Sequence, residues 1–156
     1  MTLRVGLISD THGLLRPEAE AWLQGADAIV HAGDIGGAAI LEQLGRIAPV
    51  TAVRGNNDHQ PWAAHLPDVA RLQIGGLTLL VLHDLAELDV DPRAAGVAAV
   101  ITGHSHRPTV QARGGVLFVN PGSAGPRRFS LPISAGELLI DGGQCRARHV
   151  DLLSAA

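Results

Sequence analysis

The chain has 156 residues, 46% of them hydrophobic and 17% charged, which supports one packed domain and excludes a disordered tail. Its 12 basic residues are all arginine and it has no tyrosine, so a P-loop lysine, a lysine Schiff base, a Ser–Lys dyad and a tyrosine nucleophile are excluded. A net charge of −3 with only two Trp and two Phe gives no basic stripe or stacking platform for nucleic acid, and a single cysteine allows neither an internal disulfide nor a multi-cysteine zinc knuckle.

In chain order, residues 3–9 form a short continuous apolar run with one glycine, the pattern of a buried strand. Residues 17–25 open on Pro17 and close on Gly25, a helix with suitable ends. Residues 27–31 predict a second buried strand, 37–47 a helix with Ile40, Leu41, Leu44 and Ile47 at helical spacing, and 50–54 a third strand. Alternating strands and helices predict parallel βαβ units. The second half differs. Val69–Ile74 and Leu77–Leu82 flank Gly75-Gly76, a hairpin signal. Residues 97–102 predict another buried strand. Thr109–Arg113 and Val116–Asn120 flank Gly114-Gly115, and residues 133–140 and Gln144–Asp151 flank Gly142-Gly143. Two mixed sheets with helices outside would cover this strand surface. The longest clean apolar run, 79–82, is far below the roughly 20 residues of a helical membrane span. Residues 1–9 are too short for a signal peptide, so a cytoplasmic location is expected. The lone Cys145 is compatible with that compartment.

Polar clusters follow the predicted strands: Ser9-Asp10-Thr11-His12, Gly33-Asp34, Gly55-Asn56-Asn57-Asp58, His83, and Gly103-His104-Ser105-His106. In open α/β sheets, ligand sites collect at the carboxyl ends of strands. Five such ends would converge in one crevice and offer oxygen and imidazole donors without thiolate. That donor set suits Mn²⁺, Fe²⁺, Ni²⁺ or Zn²⁺. Each cluster alone has a plainer reading. Asp34 suits a helix cap, Asn56-Asn57 a turn, and His83 a hydrogen-bonded core histidine. His104 and His106 share a face of an extended segment.

Taken in order, Asp10-x-His12, Gly33-Asp34, Gly55-Asn56-x-Asp58, His83 and Gly103-His104-x-His106 resemble the motifs of the calcineurin-like metallophosphoesterases. The resemblance spans residues 4–123. Short length and Asn120-Pro121-Gly122-Ser123 are similar to the small bacterial and archaeal phosphodiesterase branch. The resemblance implies a single domain over 1–156 of mixed α/β class, a four-layer αββα sandwich. It implies that Asp10, His12 and His106 hold one divalent ion, that Asn56, His83 and His104 hold a second, and that Asp34 bridges them. Manganese is favoured, with iron, nickel or zinc as alternatives. The implied activity is hydrolysis of a small phosphodiester by in-line attack of a metal-bridging hydroxide, with Asp34, His106 and Asn57 at the reacting centre. The other readings are a phosphomonoesterase on the same site and a catalytically silent scaffold. A β-lactamase-like metal hydrolase would need a His-x-His-x-Asp-His run, which is absent.

Two positions depart from the family pattern. Many relatives carry His after the ligand Asn, where it protonates the leaving group. Asn57 cannot act as a general acid near pH 7, which predicts a preference for acidic leaving groups; its amide could still reach a phosphate oxygen. Asp84 stands where relatives often have Gly, either as an acceptor for the His83 imidazole or as a solvated loop residue. Asp58 reads as a group that orients its neighbours or as a plain turn carboxylate. Arg107, Arg127 and Arg128 could touch phosphate or simply lie on the surface. Residues 120–123 shape the pocket wall or form a tight turn, Ser9 reads as packing or turn, and Trp22 and Trp62 as packing. The Pro-rich stretch 61–67 leaves room for a homo-oligomer.

Overall fold

The computed structural model describes residues 1–154. Ten strands and two α-helices alternate as β1 (Leu3–Ile8), α1 (Pro17–Leu23), β2 (Ala28–His31), α2 (Ala38–Gly45), β3 (Val50–Ala52), β4 (Val69–Ile74), β5 (Leu77–Leu82), β6 (Ala99–Ile101), β7 (Thr109–Arg113), β8 (Val116–Asn120), β9 (Ser134–Asp141) and β10 (Gln144–Asp151). The strands form two five-stranded sheets, ordered β10-β9-β1-β2-β3 and β4-β5-β6-β8-β7. Both are mixed. β1, β2 and β3 run parallel, as do β5, β6 and β8, while β9, β10, β4 and β7 are added antiparallel. The fold is thus the sandwich of two mixed sheets that the sequence predicts.

Side chains on a strand alternate between faces, and the sequence uses both. Val5, Leu7, Val30, Leu79, Val81, Ile101, Leu138 and Ile140 meet between the sheets. The other face of the first sheet puts Ile8 and Ile29 against Leu23 of α1 and Leu44 of α2. Pro17 sits in the first turn of α1, its fixed φ suited to that place, with Glu18 and Glu20 following near the positive helix end. The outer face of the second sheet has thinner cover. Leu80, Leu82 and Val100 pack under Leu85, Leu88 and Val97, and a three-residue 3-10 helix, Leu85–Glu87, is its helical element. At Gly75-Gly76, Gly114-Gly115 and Gly142-Gly143 both residues have positive φ, as two-residue hairpin turns that follow the strand twist require. All three predicted hairpins form.

This topology sends the ends of β1, β2, β3, β5 and β6 toward one rim of the sandwich. Backbone bonds tie those ends together: Asp10 N–H donates to Gly33 O at 3.0 Å, His12 N–H to Asp34 O at 2.9 Å and Gly103 N–H to His83 O at 2.9 Å.

Candidate metal centre

Five of the seven predicted ligands meet at this rim. Asp10 Oδ1 lies 3.3 Å from His106 Nε2, 3.8 Å from His12 Nε2 and 3.9 Å from His83 Nε2. Asp34 Oδ2 lies 3.2 Å from His83 Nε2 and 3.7 Å from His12 Nε2. Two triads therefore offer converging donors: Asp10, His12 and His106, and Asp10, Asp34 and His83. Asp10 belongs to both, while Asp34 reaches one imidazole of each predicted set. His104 stacks edge-on against His83 with ring centroids 5.3 Å apart, and its side chain is 47% exposed. Asn56 is exposed. His104 and Asn56 line a cleft of about 620 Å³ that opens beside His83.

Asp10 Oδ1, His12 Nε2 and His83 Nε2 are buried without a hydrogen-bond partner. Native interiors rarely leave polar atoms this way. Carboxylate oxygens and imidazole nitrogens converging in this way suit divalent cations. The residues present fit such ions.

The backbone is strained to aim these groups. Asp10, His12, Asp34, His104 and His106 all have positive φ, at 55°, 46°, 55°, 72° and 62°. Each costs of the order of 1 kcal/mol or more, and Asp and His are among the few non-glycine residues that enter this region readily. Gly33, at φ 103°, lets the chain pass under His83, since a Cβ there would stand 2.7 Å from its Nδ1.

Side chains that touch none of the converging donor atoms hold the loops. Ser9 Oγ donates to Asp10 Oδ2 at 2.7 Å and His104 N–H donates to the same oxygen at 3.2 Å, leaving Oδ1 for the centre. Asp58 accepts N–H bonds from Gly55, Ile35 and Gly36 at 2.9–3.2 Å. Asn120 Nδ2 donates to Gly103 O and Ser105 Oγ, pinning the loop of His104 and His106. Ser123 Oγ donates to Asp10 O. His31 Nδ1 accepts Gly33 N–H at 3.1 Å, so its proton is on Nε2, which donates to Thr11 Oγ1 at 3.0 Å; Thr11 in turn donates to Ile35 O at 2.7 Å. This neutral chain joins the loop of Asp10 and His12 to the loop of Asp34. Burial, offset only in part by Asp10 and Asp58, lowers the His31 pKa from 6.5 to about 4.

Burial also disfavours charge on Asp34, yet the His83 imidazole and the Asn57 N–H outweigh it and bring its pKa down from 3.8 to about 2. His83 shifts upward: burial opposes the shift, but Asp34, Asp10 and the Ala32 carbonyl, 2.7 Å from Nδ1, prevail.

Several sequence readings are resolved here. Asn57 is exposed, and its N–H and Nδ2 donate to the two oxygens of Asp34 at 2.9 and 3.2 Å. Asp84 does not serve His83, whose Nδ1 is held by Ala32 O. It accepts Ala86 N–H and lies 3.8 Å from His104 Nε2. Asp58 and Asn120 are bracing groups rather than turn residues alone, and Ser9 orients Asp10. Arg107, Arg127 and Arg128 do not line the cleft; its guanidinium is Arg54, which the sequence reading missed along with His31. A buried histidine one residue before Ala-Gly-Asp was the available signal for His31. Trp22 packs between Arg4 and Arg148 and donates to Gly136 O; Trp62 packs beneath the helices.

Known proteins share this fold. The model of the calcineurin-like phosphoesterase superfamily domain matches residues 3–142. A probable metallophosphoesterase of Methanothermobacter thermautotrophicus is 32% identical over 159 aligned residues, 94% of this chain and 91% of the relative. A solved structure of an archaeal phosphodiesterase superposes with a TM-score of 0.77 at 22% identity, covering 95% and 99% of the two chains. Vacuolar Protein Sorting 29 from Cryptosporidium parvum has the same fold, with a TM-score of 0.76 at 20% identity over 96% and 97%. With the converging donors and the two-sheet frame, the match over most of its length places the chain in the calcineurin-like phosphoesterase superfamily.

Proposed function

We propose that the chain is a two-metal phosphodiesterase acting on a small phosphodiester. The observation that carries this reading is the set of buried, unpartnered atoms Asp10 Oδ1, His12 Nε2 and His83 Nε2 beside Asp34. Asp10, His12 and His106 would hold one divalent ion. Asn56, His83 and His104 would complete a second, with Asp34 between the two. Mn²⁺ is the favoured metal, and Fe, Ni and Zn suit the same donors. Such ions lower the pKa of water toward neutrality and stabilise charge developing on phosphoryl oxygens.

The chain's own residues set the geometry and the limits. Asn57 and His83 keep Asp34 ionised and fixed between the two sets. Asn57 donates to Asp34, and its amide gives up no proton to a departing oxygen near pH 7, so substrates with acidic leaving groups are favoured. The cleft beside His83 and His104 has room for an ester's second arm, which supports a diester over a monoester. A silent scaffold would gain nothing from keeping strained, unpartnered donors in its interior.

The test is an assay of the purified chain with aryl phosphodiesters and aryl phosphomonoesters, with and without added Mn²⁺. Metal-dependent turnover with diesters preferred is the expected result. Better turnover of the monoester would move the activity to a phosphomonoesterase, and background rates with Mn²⁺ and with Fe²⁺, Ni²⁺ and Zn²⁺ in its place would leave the scaffold.

A further inference from the structure

Acidic side chains outnumber guanidinium groups in the cleft: Asp58, Asp68, Asp84 and Glu87 line it. Among the described residues that line it, Arg54 is the one guanidinium. Its Nε and Nη2 both bond Asp68 Oδ1, at 3.1 and 3.0 Å, so its charge is matched before any ligand arrives. Asp84 and Glu87 also line the cleft. Asp84 Oδ1 accepts Ala86 N–H at 3.0 Å, which fixes the carboxylate at the start of the short helix Leu85–Glu87, while Oδ2 faces His104 Nε2 at 3.8 Å. Glu87 follows on that helix. The cleft adjoins the candidate centre: His83, 6% exposed, is among its lining residues, and its Nε2 faces Asp34 Oδ2 at 3.2 Å.

A phosphodiester placed at the centre has its anionic phosphoryl group among the candidate ligands, and its second arm must lie along this wall. We propose, resting on the phosphodiesterase reading, that Asp84 and Glu87 are specificity-determining residues that select phosphodiesters whose second arm is cationic or uncharged. They repel an arm bearing another anion. Beyond the ions at the centre, a second phosphate or a carboxylate on that arm would meet two carboxylates and a guanidinium already paired with Asp68, whereas an ammonium group would meet two counter-charges. At this exposed wall each carboxylate changes the preference between a cation and an anion by about threefold, and salt weakens the effect.

The experiment compares three 4-nitrophenyl phosphodiesters on the Mn²⁺-supplied protein. The leaving group is common to all, and the second arm is choline, ethyl or 2-carboxyethyl. The expected order of kcat/KM is choline, then ethyl, then carboxyethyl, with a spread of about tenfold or more at low salt that narrows as salt rises. In Asp84→Asn/Glu87→Gln the spread falls below about threefold. Glu87→Gln alone, which leaves the helix start intact, removes about half of the logarithmic spread and serves if the double variant fails to fold. A carboxyethyl ester that equals or exceeds the choline ester overturns the proposal, and so does a spread that survives in the variants. Calorimetric binding of methyl phosphocholine and of methyl 2-carboxyethyl phosphate separates this proposal from the one it rests on. Lack of turnover of all three esters counts against the phosphodiesterase, whereas equal or inverted binding of the two methyl diesters, or binding of neither, counts against the selective wall.

Discussion

The two sides of the centre are built to different standards. On the side of His12 and His106 the donors are enclosed: the Asp10 and His106 side chains are 0% and 3% exposed, and His12 is 19% exposed. Ser9, Ser123 and the His31–Thr11 chain fix the loop that carries Asp10 and His12. On the other side His83 is equally buried, but His104 and Asn56 stand at the cleft wall and His104 is 47% exposed. Enclosure with satisfied supporting bonds favours permanent ion binding, whereas exposure favours exchange and access. On the proposed two-ion reading, Asp34 would join one closed position to one open position, and the cleft lies beside the open one.

The largest expected effect comes from the residue shared between the two sides. Asp34→Asn keeps shape and removes charge; diester turnover should fall by a factor on the order of 10³ or more, while the melting temperature shifts little. Turnover within tenfold of the parent would mean that Asp34 does not join the two positions. The asymmetry itself is broken by comparing His106→Ala with His104→Ala in Mn²⁺ calorimetry. The first should abolish the tighter binding step. The second should weaken only the looser step, by about 10–100-fold. Loss of both steps in His104→Ala would contradict the division into closed and open sides.

A smaller effect is expected from the strut on the closed side. The folded-state pKa of His31, about 4, lies below the 6.5 of the unfolded chain. Between those values the unfolded chain takes up a proton that the folded chain refuses. This contribution is therefore fully present above pH 6.5 and is lost as pH falls toward 4. It amounts to at most about 3 kcal/mol. In denaturant titrations with chelator present, His31→Gln should flatten that pH slope; an unchanged slope would remove His31 from the account. The smallest effect lies far from the centre. Glu137 accepts Arg4 Nε at 2.8 Å and Arg148 Nε at 2.9 Å, and Arg148 is 67% exposed. Arg148→Ala should cost no more than about 1 kcal/mol and leave turnover unchanged, which a thermal melt and the aryl diester assay would check.

What the sequence made legible follows the same division between local and remote causes. Continuous apolar runs, Gly-Gly turns and the alternation of strand and helix are local signals, and all of the elements they predict form. Asp10, His12, Asp34 and His106 were legible as a group because each sits just past a strand end, where the parallel topology gathers loops. The supporting bonds were not legible. His31 reaches Thr11 across 20 positions, Asn120 reaches Gly103 across 17, and Asp58 reaches Ile35 across 23. Such partners depend on how the sheets bring loops together, which neither periodicity nor spacing records. Asp84 reads from sequence either as an acceptor for its neighbour His83 or as a solvated loop residue; it faces His104, and the Ala32 carbonyl holds His83. The thin cover of the second sheet likewise arises from residues 83–98, whose apolar side chains pack from a 3-10 turn and loop rather than from an α-helix.

The claim on which the rest depends is a pair of cation positions joined by Asp34. Anomalous scattering from crystals grown with Mn²⁺ tests it most directly. The account predicts two peaks about 3.5–4 Å apart, one against Asp10, His12 and His106 and the other against His83, His104 and Asn56, with Asp34 between them. No peak at this rim in a well-ordered crystal, or a peak whose neighbours exclude Asp10 and Asp34, would contradict it.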